Sequence, residues 1–91
     1  MNKPTTLYFF YSDWCGMCKI LRPQIENLQQ QFNHSIDFQY INTEDNVNLA
    51  IEYEIRSLPT LVLVQKQKVV WKNIGKFTPE ALVTVLDYFS K

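Results

Sequence analysis

Near the start of the chain, Thr5-Thr6-Leu7-Tyr8-Phe9-Phe10-Tyr11 is apolar or aromatic almost throughout. A strand with one face in water alternates apolar with polar residues. This run does not, so it belongs to a strand covered on both faces. In a short chain that means helices packed above and below a sheet. The next segment supplies one: Ile20, Leu21, Ile25, Leu28 and Phe32 draw a single stripe along a helix from Gly16 to about Phe32. Pro23 falls inside that helix and lacks the N–H that would bond back to Lys19, so a kink is expected there.

The rest of the chain continues the alternation. Ile36 to Ile41 reads as a second strand, and Asn42 to Asn46 as a polar turn. Val47, Leu49, Ala50, Ile51 and Tyr53 suggest a short helix that ends before Ile55. Thr60 to Val64 is a third strand, and Val69 to Trp71 lies in a fourth. The tight connection Lys66-Gln67-Lys68 pairs them as a hairpin. Thr78-Pro79-Glu80 carries a cap, a first-turn proline and an acidic residue, which start a last helix with Leu82, Val83, Val85, Leu86 and Phe89 on its buried side. The order is βαβαββα. The first two strands, joined through a helix, are expected to be parallel with a right-handed crossover. The hairpin adds an antiparallel edge, and the helices before and after it cover the two faces of a three-layer α/β sandwich.

Ninety-one residues make one domain, spanning 1–91, with neither repeat nor linker. A chain of this size buries roughly 60% of its unfolded surface. At 46% hydrophobic and 20% charged residues it is globular and not disordered. Nine basic side chains balance nine acidic ones, so there is no field to gather nucleic acid or an anionic membrane surface, and neither is expected as a partner. The apolar run from Leu7 to Tyr11, behind Met1-Asn2-Lys3-Pro4, is too short for a secretory signal, and Leu61 to Val64 is too short to span a membrane. The expected location is the cytoplasm.

The only two cysteines are spaced Cys15-Gly16-Met17-Cys18, between the first strand and the first helix. With Cys15 at the N-cap, its sulfur faces the N–H groups of the first turn, that of Cys18 included, and the positive helix end favours the thiolate. Cys18, three residues on, shares the helical face and lies within reach of a disulfide. An accessible thiol and an inner one are the parts that disulfide exchange requires. Gly16 and Met17 put little cover over Cys15, and Lys19 adds a nearby positive charge. The competing readings of the pair alone are small buried hydrophobes or half of a metal site. Zinc normally takes four ligands, and beyond the pair the chain offers only His34, which sits in the polar turn Asn33-His34-Ser35. Glu44 and Asp45 read as charges near a helix start, Lys66 and Lys68 as solvated hairpin charges, and Trp71 as packed on the sheet.

Several motifs in the same order give the chain a family resemblance. They are Trp14-Cys15-Gly16-Met17-Cys18-Lys19, the helix proline Pro23, Tyr53-Glu54-Ile55-Arg56, Leu58-Pro59-Thr60 and Gly75 after the fourth strand. From Leu7 to the last helix the chain resembles a thioredoxin. The resemblance implies a thioredoxin fold with a four-stranded mixed sheet, lacking the family's N-terminal strand and helix. It implies a protein-disulfide oxidoreductase in which Cys15 is the nucleophile and Cys18 the resolving thiol. Trp14, Gly16, Met17, Lys19 and Pro59 would tune the site. Pro59 would be cis, and its preceding backbone would offer an edge to an extended substrate segment. Trp14, Met17, Leu58, Pro59, Ile74 and Gly75 would contact substrate. The implied partners are disulfide-containing proteins and a reductase or other thiol system as electron donor. The protein would act as a monomer with no cofactor beyond the Cys15–Cys18 disulfide.

Four positions depart from the family pattern. Met17 replaces the proline usual between the cysteines, which returns an N–H near the Cys15 sulfur and is expected to make the pair more oxidising. Phe9 stands where a buried aspartate assists the inner cysteine, and Tyr40 stands where that aspartate has a lysine partner. The sequence places no other ionisable residue to replace that acid. Gln67 replaces the usual hairpin glycine, so that turn is expected to differ. Two rival functions remain at this stage: a redox-independent thioredoxin-fold binding subunit, and an inter-chain metal or iron–sulfur site.

Overall fold

The computed structural model describes residues 3–91. Met1 and Asn2, the start of the segment weighed against a secretory signal and of the 1–91 domain, lie outside the described residues. The elements are β1 (Thr5–Tyr11), α1 (Gly16–Phe32), β2 (Ile36–Asn42), α2 (Val47–Glu52), β3 (Thr60–Gln65), β4 (Lys68–Ile74) and α3 (Pro79–Phe89). The four strands form one sheet in the order β2-β1-β3-β4, with β1 parallel to β2 and antiparallel to β3, and β4 antiparallel to β3. The two strands richest in apolar residues are therefore the central ones, where both faces are covered.

Alternation along β1 sends Leu7 and Phe9 to one face and Phe10 to the other. On the first face, between the sheet and the touching helices α1 and α3, Leu7, Phe9, Cys18, Leu21, Ile25, Phe32, Ile36, Phe38, Leu61, Leu63, Phe77, Leu82 and Leu86 form the main core. On the second face Phe10, Val62 and Val64 make a smaller cluster with Tyr8, Ile41, Leu49, Tyr53 and Ile55 around α2. The helix α1 runs through Pro23. At α3, Thr78 caps the helix by accepting from Ala81 N at 3.2 Å, and Pro79 stands in the first turn, where its missing N–H costs nothing. Gln65 donates from Nε2 to the Thr5 hydroxyl and to the Phe89 carbonyl, both at 3.0 Å, and so ties the end of α3 to the sheet.

Two turns adopt left-handed backbone without glycine. Lys66 (φ 53°) and Gln67 (φ 69°) form the β3–β4 turn, so Gln67 takes a conformation that glycine adopts without strain. Glu54 (φ 55°) terminates α2, with Glu54 N bonding to Ile51 O and Ile55 N to Ala50 O, a closing pattern in which glycine is the usual residue. Glu44 and Asp45 are exposed and precede the α2 cap, Asn46. Trp71 packs, partly buried, against the main core.

Candidate active site

At the end of β1 the chain turns through Ser12-Asp13-Trp14, and Cys15 N bonds to Ser12 O at 3.3 Å. This turn delivers Cys15 to the N-cap of α1 in an extended conformation, φ −89° and ψ 101°. The Cys15 Sγ accepts a hydrogen bond from the backbone N–H of Cys18 at 3.1 Å. That donor belongs to Cys18 and not to Met17, the residue from which an extra donor was expected. No acidic residue occupies the first turn of α1, so nothing there offsets the positive helix end at the sulfur.

Cys15 and Cys18 are joined as a disulfide, with Cα atoms 5.2 Å apart. Their environments differ. Cys18 is 2% exposed and belongs to the main core, whereas Cys15 is half-buried and packs against the edge of that core. The helix thus presents one sulfur outward and holds the other inward.

The loop entering β3 reaches the same core. The Leu58–Pro59 peptide is cis, Pro59 is buried, and Leu58 packs against the cluster that holds Cys18. Thr60 Oγ1 donates to Ser57 O at 2.7 Å, which fixes the loop from inside. Pro59 O accepts from Gly75 N at 2.8 Å, and Thr60 stands opposite Ile74 in the β3–β4 register. Gly75 has φ 86°, the left-handed region where a side chain would strain the backbone even though the space beside it is open. The structure therefore joins Cys15 to Cys18 and Pro59 to Gly75. Trp14 (85% exposed), Ile74 (64%) and Met17 (44%) project from the surface instead of filling the core, and Gly16 and Lys19 are exposed. His34 is exposed in its turn, and among the described residues no three His, Cys, Asp or Glu side chains come together.

Phe9 is 1% exposed in the same cluster as Cys18, so an apolar ring lies where the resemblance would place an acid. Its ring stacks on Tyr11 with centroids 5.9 Å apart and meets Tyr40 edge-on at 6.2 Å. The Tyr40 hydroxyl donates to Gln29 Oε1 at 2.6 Å. Burial raises the Tyr40 pKa, Glu26 adds to the rise, and Arg22 acts against it. Charged and titratable groups nevertheless line the surface next to the inner cysteine. A groove beside Cys18 is lined by Tyr11, Ser12, Asp13, Lys19 and Arg22. Two signals in the sequence point to it: Arg22 is four residues after Cys18 on one helix, and Tyr11 is two residues after Phe9 on one strand.

With the disulfide at the strand–helix junction and the proline loop beside the core in view, comparison with known proteins decides the family. The thioredoxin family pattern, described as Thioredoxin, matches residues 1–88. The chain belongs to the thioredoxin family. It is 31% identical over 90 residues to a thioredoxin of Buchnera aphidicola, across 99% of this chain and 83% of that one. Among solved structures it is similar to a mutant thioredoxin from Halobacterium salinarum, with TM-score 0.90 and 31% identity over 98% of this chain and 77% of the other. It is also similar to the oxidised form of mitochondrial thioredoxin 3 from Saccharomyces cerevisiae, with TM-score 0.85 and 28% identity over 96% and 80% of the two chains. Like other thioredoxins this is a thiol–disulfide oxidoreductase, and its redox-active pair is Cys15–Cys18.

Proposed function

We propose that Cys15 is the attacking thiol and Cys18 the resolving thiol of a protein-disulfide reductase. The observation that carries this reading is the difference between the two sulfurs. Cys15 is half-exposed at a helix N-cap with an N–H directed at it, and Cys18 is enclosed in the core. The Cys15 thiolate attacks one sulfur of a substrate disulfide. The S–S bond breaks, and the leaving sulfur takes the electron pair and a proton. Cys18, as thiolate, then attacks Cys15 Sγ in the mixed disulfide and expels the second substrate sulfur. Two electrons and two protons have passed to the substrate, and the Cys15–Cys18 bridge remains.

The surface offered to the substrate is the rim of Trp14, Met17, Leu58, Pro59, Ile74 and Gly75. The exposure of Trp14, Met17 and Ile74 supports this, because large apolar side chains left in water beside a reactive group mark a contact surface. Substrates are disulfide-containing proteins, and a reductase or other thiol system returns the dithiol. Both sulfurs of the bridge come from one chain, so the exchange needs no second copy, which supports reading the chain as a monomer. The bridge itself carries the electrons without a further cofactor. The proposed setting is the cytoplasm, a reading supported by the use of both cysteines for exchange and neither for a structural staple. No helix among the described residues is long and apolar enough to cross a membrane.

Brief alkylation of the reduced protein with limiting reagent at neutral pH, followed by peptide mapping, tests the assignment. Cys15 is expected to be modified first; equal or faster modification of Cys18 overturns it.

A further inference from the structure

The groove beside the bridge holds about 150 Å³ and places Arg22 along the same wall as Cys18. The two residues are four apart on α1, which puts them on one helical face within about 6 Å at Cβ. Arg22 is not a loose surface cation. Its guanidinium carbon lies 5.0 Å from the centroid of the Tyr11 ring and 4.6 Å from that of Tyr40, and its Nε donates to Glu26 Oε2 at 3.3 Å. Tyr11 closes β1 and Tyr40 lies on β2, so two strands hold a helix-borne cation in place.

We propose that Arg22 is the electrostatic partner of Cys18, stabilising its thiolate for attack on the mixed disulfide at a site where Phe9 supplies no base. The inference rests on the reading of Cys18 as the resolving thiol. In the step, the Cys18 proton leaves to solvent through the groove. The resulting thiolate forms a bond to Cys15 Sγ, the Cys15–substrate bond breaks, and the electron pair departs on the substrate sulfur. Arg22 neither gives nor takes a proton. It favours the charged form of Cys18 before attack, as an opposite charge nearby does.

The other charged and titratable groups around Cys18 do not supply this. Lys19 on α1 is exposed and unclamped, and Asp13, in the turn before α1, carries the opposing sign and is exposed next to Asn42 at 3.4 Å. From β1 comes the Tyr11 hydroxyl, and from β2 Tyr40, already engaged with Gln29. The buried side chains that share the core with Cys18, among them Phe9 and Leu61 from the sheet, Phe77 from the loop before α3 and Leu82 from α3, carry no charge. Desolvation alone would lower the Arg22 pKa, but the Tyr11 hydroxyl and the Glu26 carboxylate outweigh it, so the guanidinium stays protonated at every working pH.

The test uses Arg22→Gln, which keeps helix propensity and much of the stem, and Arg22→Lys, which keeps the charge. In a Cys15→Ser background the Cys18 pKa is read from ultraviolet thiolate absorbance. Arg22→Gln is expected to raise it by about one pH unit, a tenfold loss of thiolate at neutral pH, and Arg22→Lys to change it by less than about half as much. With Cys15 present, rapid-quench decay of the mixed disulfide is expected to slow about tenfold at neutral pH in Arg22→Gln, with the rate–pH curve displaced upward by the same amount. High salt should narrow the gap between the two variants. An unmoved pKa in Arg22→Gln overturns the inference, as do equal shifts in Arg22→Gln and Arg22→Lys, which would mean that packing and not charge is at work. The pKa measurement contains no mixed disulfide, so its failure is separable from failure of the Cys15/Cys18 assignment.

Discussion

The two faces of the sheet are unequal. The face under α1 and α3 is a continuous apolar layer that includes Cys18, whereas the apolar cluster on the α2 face has only Phe10, Val62 and Val64 as buried members and no residue of α2 itself is buried. Val47 and Ile51 of α2 are more than half exposed. The difference has a chemical reading. The thiol that must attack from inside is embedded in the thick layer, where close packing fixes its position. The thin layer closes the sheet and carries none of the reacting atoms.

The largest test of that contrast is stability. Ile25→Ala empties a site that is 0% exposed in the thick layer and is expected to cost about 2–5 kcal/mol. Leu49→Ala, on the partly exposed α2, is expected to cost about 1 kcal/mol or less. Urea unfolding of the oxidised proteins measures both, and equal losses would erase the distinction.

Phe9→Asp sharpens the comparison by placing an acid inside the thick layer. Burying a carboxyl group there in place of a ring is expected to destabilise by about 2–4 kcal/mol. The same substitution is expected to speed mixed-disulfide decay at neutral pH, because it supplies a proton acceptor near Cys18. In the wild type that decay should rise with pH as Cys18 ionises. Decay that is fast and flat with pH in the wild type would show that a base is already present.

A smaller effect belongs to the hairpin outside both layers. Gln67 pays for its positive φ in strain, so Gln67→Gly is expected to raise stability by about 1 kcal/mol while leaving turnover unchanged. Thermal unfolding reads this directly, and a loss of stability would mean that the turn is held by the Gln67 side chain.

The smallest effect concerns the thin face under alkali. Burial, then Tyr8 and Glu52, push the Tyr53 hydroxyl up to about 12. An unfolded tyrosine titrates near pH 10, so the folded state holds this proton more tightly. The stability it contributes is complete below about pH 10 and is lost as pH rises from about 10 to about 12. Tyr53 is only partly buried, and solvent screening keeps the contribution small. Tyr53→Phe is expected to show a shallower decline over that window than the wild type; matching slopes would contradict the reading.

Element order was legible because apolar runs and helical stripes differ in period, as at Thr5–Tyr11 and Ile20–Phe32, and so were the β1–β2 and β3–β4 pairings; that β1 lies beside β3 was not. The cysteine pair was legible from its place at a strand–helix junction. The inequality of the two faces was not, since Phe9 and Phe10 look alike in sequence and only the packing of α1, α3 and α2 assigns their depth. Arg22 escaped notice because its partners Tyr11 and Tyr40 come from separate strands, and long-range cation–ring contacts leave no local pattern. The Lys66-Gln67 turn was legible as tight, but its left-handed backbone was not, because neither residue announces positive φ.

The central claim is that the exposed sulfur enters exchange and the enclosed one completes it. Reduced Cys18→Ser and Cys15→Ser variants, each mixed with a disulfide-bonded test protein and resolved without reductant, examine it most directly. The account predicts a persistent covalent adduct through Cys15 in the Cys18→Ser protein and none in the Cys15→Ser protein. Equal adducts from both variants, or none from Cys18→Ser, would contradict it.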